Sequence, residues 1–434
     1  MAEPASPSNL PHPPGYYRWA VLIVASLAMA GNYYVYDSIS PLADLLKEQL
    51  HFTDANLGTL NGIYSVPNIL MVALGGVLID RIGTRRSTLI FAAICFLGAV
   101  ITAATNMFLV MALGRLIFGL GAESLIVAVT TALAKWFRGK ELSFAFGLNL
   151  TIARLGSFAA LNSPSWAKPA FEHWQWPLII SAAAGAVCLI GAISYAGMEW
   201  SGTRRYCLGH EEETEKIKFT DIFRFPVSYW YVVLLCVTFY SAMFPFQTFA
   251  VKFFMETHEA SREYAGFLSS ILTLFAMICT PAFGYLADRI GRRATMMVFG
   301  SLLLIPVYLI MVYTRVPLIF PMAIMGVSFS LIPAVMWPSV AYLVDQAKLG
   351  SALGLMTMIQ NIGLAGFNFL IGWSNDRWDA SASNPNGYAP GMWMFSSLGF
   401  FALLFSFLLQ RSETGPNAKG LETITTKSSQ SSNT

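Results

Sequence analysis

Three ionisable side chains stand inside apolar runs that leave little room for charge. Arg115 and Glu123 share the run Gly-Arg-Leu-Ile-Phe-Gly-Leu-Gly-Ala-Glu-Ser, residues 114–124, and Arg154 stands near the middle of the next run. An ionised group at bilayer depth costs roughly 2.5–3.5 kcal/mol even on the lenient insertion scale, so it persists where it faces a wet cavity or an opposite charge. A glutamate on one helix and an arginine on the next suit a ligand of both signs, the carboxylate receiving an ammonium and the guanidinium a carboxylate. On a helix, Arg115 and Glu123 are about 12 Å apart along the axis and roughly 80° apart around it, so they need not pair. Arg115 lies nearer the outer end of its span, whereas Glu123 and Arg154 share a central depth. The structural alternative is a permanent bridge from Glu123 to Arg154 or Arg115 that holds helices together.

The elements that must position these residues follow from composition. The 434 residues are 55% hydrophobic and 12% charged, against about 25% charged in ordinary soluble domains. A bilayer crossing needs about 20 apolar residues. Such runs occur near 17–40, 57–79, 87–105, 107–134, 142–166, 175–198, 227–254, 263–287, 294–313, 316–344, 350–374 and 391–411. The fold class expected is an all-α membrane protein of twelve transmembrane helices. The net charge of +3 is spread along the chain, which argues against nucleic acid. The five cysteines lack CxxC spacing and indicate neither a metal nor a disulfide frame. No Ser–His–Asp set at membrane depth and no phosphate-cradling loop occurs, so no enzyme and no cofactor is expected.

Basic residues gather in alternate loops: Arg81, Arg85 and Arg86; Lys135, Arg138 and Lys140; Arg204 and Arg205; Arg289, Arg292 and Arg293. The opposite loops hold fewer, which places both termini in the cytoplasm. The chain also repeats itself. Gly-Val-Leu-Ile-Asp-Arg-Ile-Gly-Thr-Arg-Arg, residues 76–86, follows span 2, and Gly-Tyr-Leu-Ala-Asp-Arg-Ile-Gly-Arg-Arg, residues 284–293, follows span 8. Between the copies lies the longest polar stretch, 199–226. Two six-helix halves joined by a charged linker are one transporter arrangement. The organisation expected is a disordered cytoplasmic tail at 1–16, a first half at 17–198, a linker at 199–226, a second half at 227–411 and a disordered cytoplasmic tail at 412–434.

The doubled motif resembles the loop 2–3 signature of the major facilitator superfamily and its copy in loop 8–9. In that resemblance Gly76, Asp80, Arg81, Gly83, Arg85 and Arg86, with Asp288, Arg289 and Arg292, form a cytoplasmic gate motif whose glycines allow a tight turn. Further stretches resemble the lysosomal dipeptide transporter branch: Tyr36-Asp37, Tyr64 to Asn68, Gly121 to Leu125, Trp136 to Leu142, Phe146 to Leu148 and Ala153 to Ser157. Phe244 to Phe246, Trp337-Pro338 and Ile359 to Leu364 continue the likeness. The resemblance implies a pseudo-symmetric major facilitator fold and a dipeptide substrate moved by uniport, with Glu123 meeting its ammonium and Arg154 its carboxylate. An acidic dileucine sorting signal is missing from the amino-terminal tail, and the sole Asn-x-Ser/Thr triplet, at 149–151, falls inside span 5. The inner membrane of a bacterium is favoured over a lysosome, and a monomer among lipids without an accessory subunit is expected.

An extended chain advances about 3.3–3.6 Å per residue, so anchors set for a dipeptide's end charges would refuse free amino acids and longer peptides alike. The second half is expected to carry no lysine, arginine or acid deep in its spans. Its neutral polar groups, Tyr240, Gln247, Gln360, Asn361 and Trp337, are read as partners for the peptide backbone. Tyr36 and Tyr64 are read as pocket lining, and Asp37 as a weaker candidate. The competing reading is a proton-coupled symporter or antiporter of another small organic solute, such as an organic anion held by Arg154. No histidine falls inside a span, which removes a histidine proton relay.

Overall fold

The computed structural model describes residue 11 and residues 13–137, 141–206, 225–345, 348–416 and 418–424. Among them there is no strand, only an isolated bridge between Ser381 and Asn384. In lipid every backbone polar group must find a partner inside its own segment, which long helices achieve. The helices are α1 (Gly15–Asp37), α2 (Ala43–Leu50), α3 (Asp54–Gly62), α4 (Ser65–Ala103), α5 (Phe108–Phe137), α6 (Leu142–Leu161), α7 (Ser163–Trp166) and α8 (Gln175–Arg205). They continue as α9 (Val227–His258), α10 (Arg262–Ile290), α11 (Arg293–Tyr313), α12 (Ile319–Leu343), α13 (Leu349–Arg377) and α14 (Ala389–Glu413). Eleven described helices are long and apolar enough to cross a membrane. The remaining expected span, 57–79, is divided between α3 and the first part of α4.

Both motif copies turn at a glycine. The long α4 breaks at Gly83, with φ 79°, and α10 ends at Gly291, with φ 70°. Only glycine adopts these left-handed values without strain, so the turn expected in each copy falls on the same motif position.

Contacts gather the chain into two compact units. The first holds Met1–Ser38, Leu70–Ala160 and Gln175–Thr214; the second holds Ile39–Ile69, Leu161–Trp174 and Glu215–Thr434. The first unit packs through small residues, as expected where lipid is as apolar as leucine. A Cβ added at Gly156 of α6 would lie 2.0 Å from the Ala30 carbonyl oxygen of α1. Gly156→Ala is therefore expected to cost about 1–3 kcal/mol through overpacking, read as a lowered thermal unfolding midpoint; an unchanged midpoint would refute so close an approach. In the second unit α3 lies equally close to α13, where a Cβ at Gly58 would meet the Asn368 carbonyl oxygen at 2.1 Å and one at Gly372 the Asp54 carbonyl oxygen at 2.2 Å.

Three boundaries differ from expectation. Helix α1 begins at Gly15, inside the expected tail, while residues 1–10 and 12 lie outside the described residues. Helix α8 continues to Arg205 because Glu199 is not a linker residue: it is buried, accepts from Lys135 Nζ at 2.8 Å and takes the Thr84 hydroxyl at 2.7 Å. Residues 207–224, and with them most of the expected linker, lie outside the described residues, as do Arg138 and Lys140. Within the tail expected from 412, Glu413 and Leu421 are buried. Two glutamates there satisfy neighbouring backbone groups, a pattern that composition alone did not reveal.

Candidate functional site

In the first unit α1, α5 and α6 bring the expected charges together. Glu123 of α5 and Arg154 of α6 are both half-buried, and each lies within the other's electrostatic reach. The Arg154 guanidinium stands 5.2 Å from the centroid of the Tyr33 ring, a cation–π arrangement that holds a desolvated cation without neutralising it. Asp37, one helical turn beyond Tyr33 on the same face of α1, feels both Arg154 and Arg115. Tyr33 in turn feels Arg154, Glu123 and Asp37 together. The result is a group of two carboxylates, one guanidinium and one phenol on three helices.

Arg115 has a different task. It is 1% exposed, and its guanidinium donates to the carbonyl oxygens of Val35 at 2.9 Å and Tyr36 at 3.2 Å. Those carbonyls belong to the last turn of α1, whose C-terminal oxygens have no intrahelical donor. A cation there satisfies them and complements the helix dipole. Tyr36 gives its backbone carbonyl to Arg115, while the ring of Tyr33, which is not among the lining residues expected from the sequence, meets Arg154. The (i, i+4) relation of Tyr33 to Asp37 is the signal that could have singled it out.

The neutral candidates lie in the second unit. Trp337 Nε1 donates to the Tyr240 hydroxyl at 3.0 Å, and the Tyr240 ring stacks on Phe244 with centroids 5.5 Å apart. Asn361 Nδ2 donates to the Thr357 carbonyl at 3.0 Å, leaving its buried Oδ1 without a protein partner. Gln360 Oε1 takes the Cys236 thiol at 3.7 Å. The Gln247 side chain is buried, and its backbone carbonyl accepts from Ser40 Oγ at 2.6 Å. Tyr64 is buried near Asn68, and both polar side-chain atoms of Asn68 lack a protein partner. Buried amide groups left open in this way are filled by water or by a ligand.

The motif residues flank the Gly83 break within α4 and, in the second copy, the junction of α10 and α11. Arg81 and Arg86 are exposed and Arg85 is half-buried; the Asp80 side chain lies outside the described residues. Asp288 pairs with Arg293 at 2.8 Å, while Arg289 and Arg292 are exposed. The buried arginine of this copy is therefore Arg293, one position beyond those expected.

A further charged cluster corrects the expectation that spans of the second half lack deep ionisable groups. Lys252 of α9 is fully buried, with Nζ 2.6 Å from both oxygens of Asp54, itself fully buried. Lys47 also reaches Asp54, at 3.0 Å. Asp376 of α13 accepts the backbone N–H groups of Asp54 and Ala55, each at 2.7 Å, at the start of α3. Glu256, 3.9 Å from Lys252, takes the Tyr388 hydroxyl at 2.5 Å. Phe-Ala-Val-Lys-Phe-Phe reads as the polar end of a span. The lysine is buried instead because α3 supplies its counter-ion.

Comparison with known proteins places this architecture. The Major Facilitator Superfamily profile matches residues 22–251 and 233–430. The chain belongs to that superfamily. It is 33% identical to the lysosomal dipeptide transporter MFSD1 of Danio rerio over 80% of this chain and 78% of that protein. It is 32% identical to the same transporter of Homo sapiens over 84% of this chain and 80% of that one. Among solved structures, a bacterial homologue of the human lysosomal transporter Spinster, inward-facing and unoccupied, superimposes with a TM-score of 0.74 at 16% identity, covering 92% of this chain and 98% of that one. The chain is a multi-pass membrane transporter of this superfamily, and it is not an enzyme.

Proposed function

We propose that this transporter moves dipeptides and related small zwitterionic peptides, with Glu123 holding the substrate ammonium and Arg154 its carboxylate. The observation that carries the reading is the pairing of a half-buried glutamate and a half-buried arginine on neighbouring helices, each in the other's field. Without substrate each charge serves as the other's counter-ion. A zwitterion replaces that relation with two charge-assisted contacts and leaves no net buried charge, which keeps desolvation affordable. Identity of about a third to MFSD1 over most of both chains supports a peptide as the zwitterion. Tyr33 and Asp37 shape the arginine end.

Transport proceeds by alternating access, as uniport. The basic loops mark the cytoplasmic face, with both termini on that side. The motif residues Asp80, Arg81, Arg85, Arg86, Asp288, Arg289 and Arg292 form the gate there. The inner membrane of a bacterium is the proposed location, and a monomer the proposed working unit.

The test is thermal unfolding of the purified protein against a panel of dipeptides, free amino acids and tripeptides. A ligand that binds only the folded state at about 100 times its Kd stabilises by about 2.7 kcal/mol. Stabilisation by dipeptides, with none from the other two classes at equal concentration, is expected. Equal shifts from free amino acids would remove the two-anchor spacing, and no shift from any dipeptide would remove the substrate class.

A further inference from the structure

The carboxyl-terminal segment closes back onto the second motif copy. Glu413, at the end of α14 and buried, accepts the Ser228 hydroxyl of α9 at 2.9 Å and the backbone N–H of Lys419 at 2.8 Å. Beyond it Gly420, with φ 96°, turns the chain, and Leu421 is fully buried. The next residue binds the start of α11 through both its carboxylate and its backbone carbonyl. The Glu422 carboxylate takes the Thr295 backbone N–H and hydroxyl, both at 2.8 Å, and its carbonyl takes the Arg292 N–H at 3.2 Å. The Leu421 carbonyl takes the Arg293 N–H at 3.0 Å, and the Ile424 carbonyl takes the Arg293 guanidinium at 2.7 Å. The same guanidinium holds Asp288 of the motif.

We propose that the segment from Ala418 to Ile424 is a self-docked clasp on the α10–α11 turn, which ties the end of α14 to the start of α11 and thereby slows turnover. A solvated tail would neither bury a leucine nor place a carboxylate on the Thr295 N–H, which stands in the first turn of α11 and has no intrahelical partner. With the clasp seated, Arg293 is engaged on both sides and keeps Asp288 within its own turn. Alternating access works through the motif at this end of the molecule, and a seated clasp keeps Arg293 engaged with both Asp288 and the Ile424 carbonyl, so its release frees Arg293 and Asp288 for the transport cycle.

The full-length chain carrying Glu422→Ala, and separately Leu421→Asp, tests this. Hydrogen exchange at the Arg292, Arg293 and Thr295 amides is expected to rise at least about tenfold, the effect of losing one or two hydrogen bonds on a local opening equilibrium. Dipeptide counterflow in proteoliposomes is expected to quicken in parallel. A Thr295→Cys, Glu422→Cys pair, oxidised to lock the clasp, should slow counterflow, and reductant should restore it. Unchanged exchange in both variants would show that the segment is not seated. Faster exchange with counterflow equal to wild type, or a locked pair that transports normally, would remove the regulatory role. Absence of counterflow in the wild type would count against the dipeptide reading alone, and the exchange data would still decide whether the clasp is seated.

Discussion

Glu123→Gln is expected to abolish dipeptide-dependent stabilisation at concentrations that saturate the wild type, and Arg154→Ala to do the same. Removing one partner of a desolvated charge pair costs about 2–5 kcal/mol, which is a loss of at least roughly 30-fold in affinity. Glutamine keeps the shape of the side chain and one acceptor, so the change isolates the charge that meets the ammonium. Arg154→Ala also removes the cation above the Tyr33 ring and leaves both Glu123 and Asp37 without their shared counter-ion. Arg154→Lys restores the charge as a point and not as a planar fork, so partial recovery is expected. Because the two anchors grip one ligand, the double variant should lose much less than the sum of the single losses. Two results would overturn the assignment: wild-type affinity in either single variant, or strict additivity in the double. An organic-anion carrier would give a third pattern, in which Arg154→Ala abolishes binding and Glu123→Gln spares it.

The parts of the molecule legible in the sequence are those fixed by local composition. Apolar run length set the spans to within a few residues, since lipid permits almost nothing but a helix of that length. The motif glycines announced their turns, because Gly83 and Gly291 take backbone angles that other residues resist. Glu123 and Arg154 stand out in the sequence because a charge in an apolar run is costly wherever it occurs, and the structure brings them within electrostatic reach of each other. What stayed hidden depended on a partner distant in sequence. Asp54 and Lys252 stand 198 residues apart, and each alone reads as the polar margin of a span. Glu422 is one acid in a polar stretch until α11 is placed beside it. The contact of the Tyr33 ring with Arg154 depends on α6, which lies more than a hundred residues away in the sequence.

Lys252→Ala is expected to be among the most damaging single changes outside the proposed binding site. Asp54 and Lys252 are both fully buried, and the carboxylate is held by two lysines. Breaking such a pair from one side costs about 3–5 kcal/mol where the remaining charge is left uncompensated, and here Lys47 beside Asp54 and Glu256 beside Lys252 keep the cost toward the lower end. Asp54→Ala should cost more than Lys252→Ala, because the aspartate serves both Lys47 and Lys252, whereas loss of Lys252 leaves Asp54 with Lys47. Replacing both residues with apolar ones of similar volume, Asp54→Leu with Lys252→Met, removes the desolvation penalty along with the attraction and is expected to recover much of the loss. Thermal unfolding without ligand reads all three. The expected order of midpoints is wild type, then the double variant, then Lys252→Ala, then Asp54→Ala. A double variant no more stable than Asp54→Ala would mean that the aspartate acts chiefly through Lys47 and the start of α3. A Lys252→Ala midpoint equal to wild type would mean that the pair contributes nothing to the fold. The cluster also joins α3 to α9 and α13 at the point where Gly58 and Gly372 bring the backbones closest. A loss of stability there should therefore appear as fast hydrogen exchange at the Asp54 and Ala55 amides, which Asp376 otherwise protects.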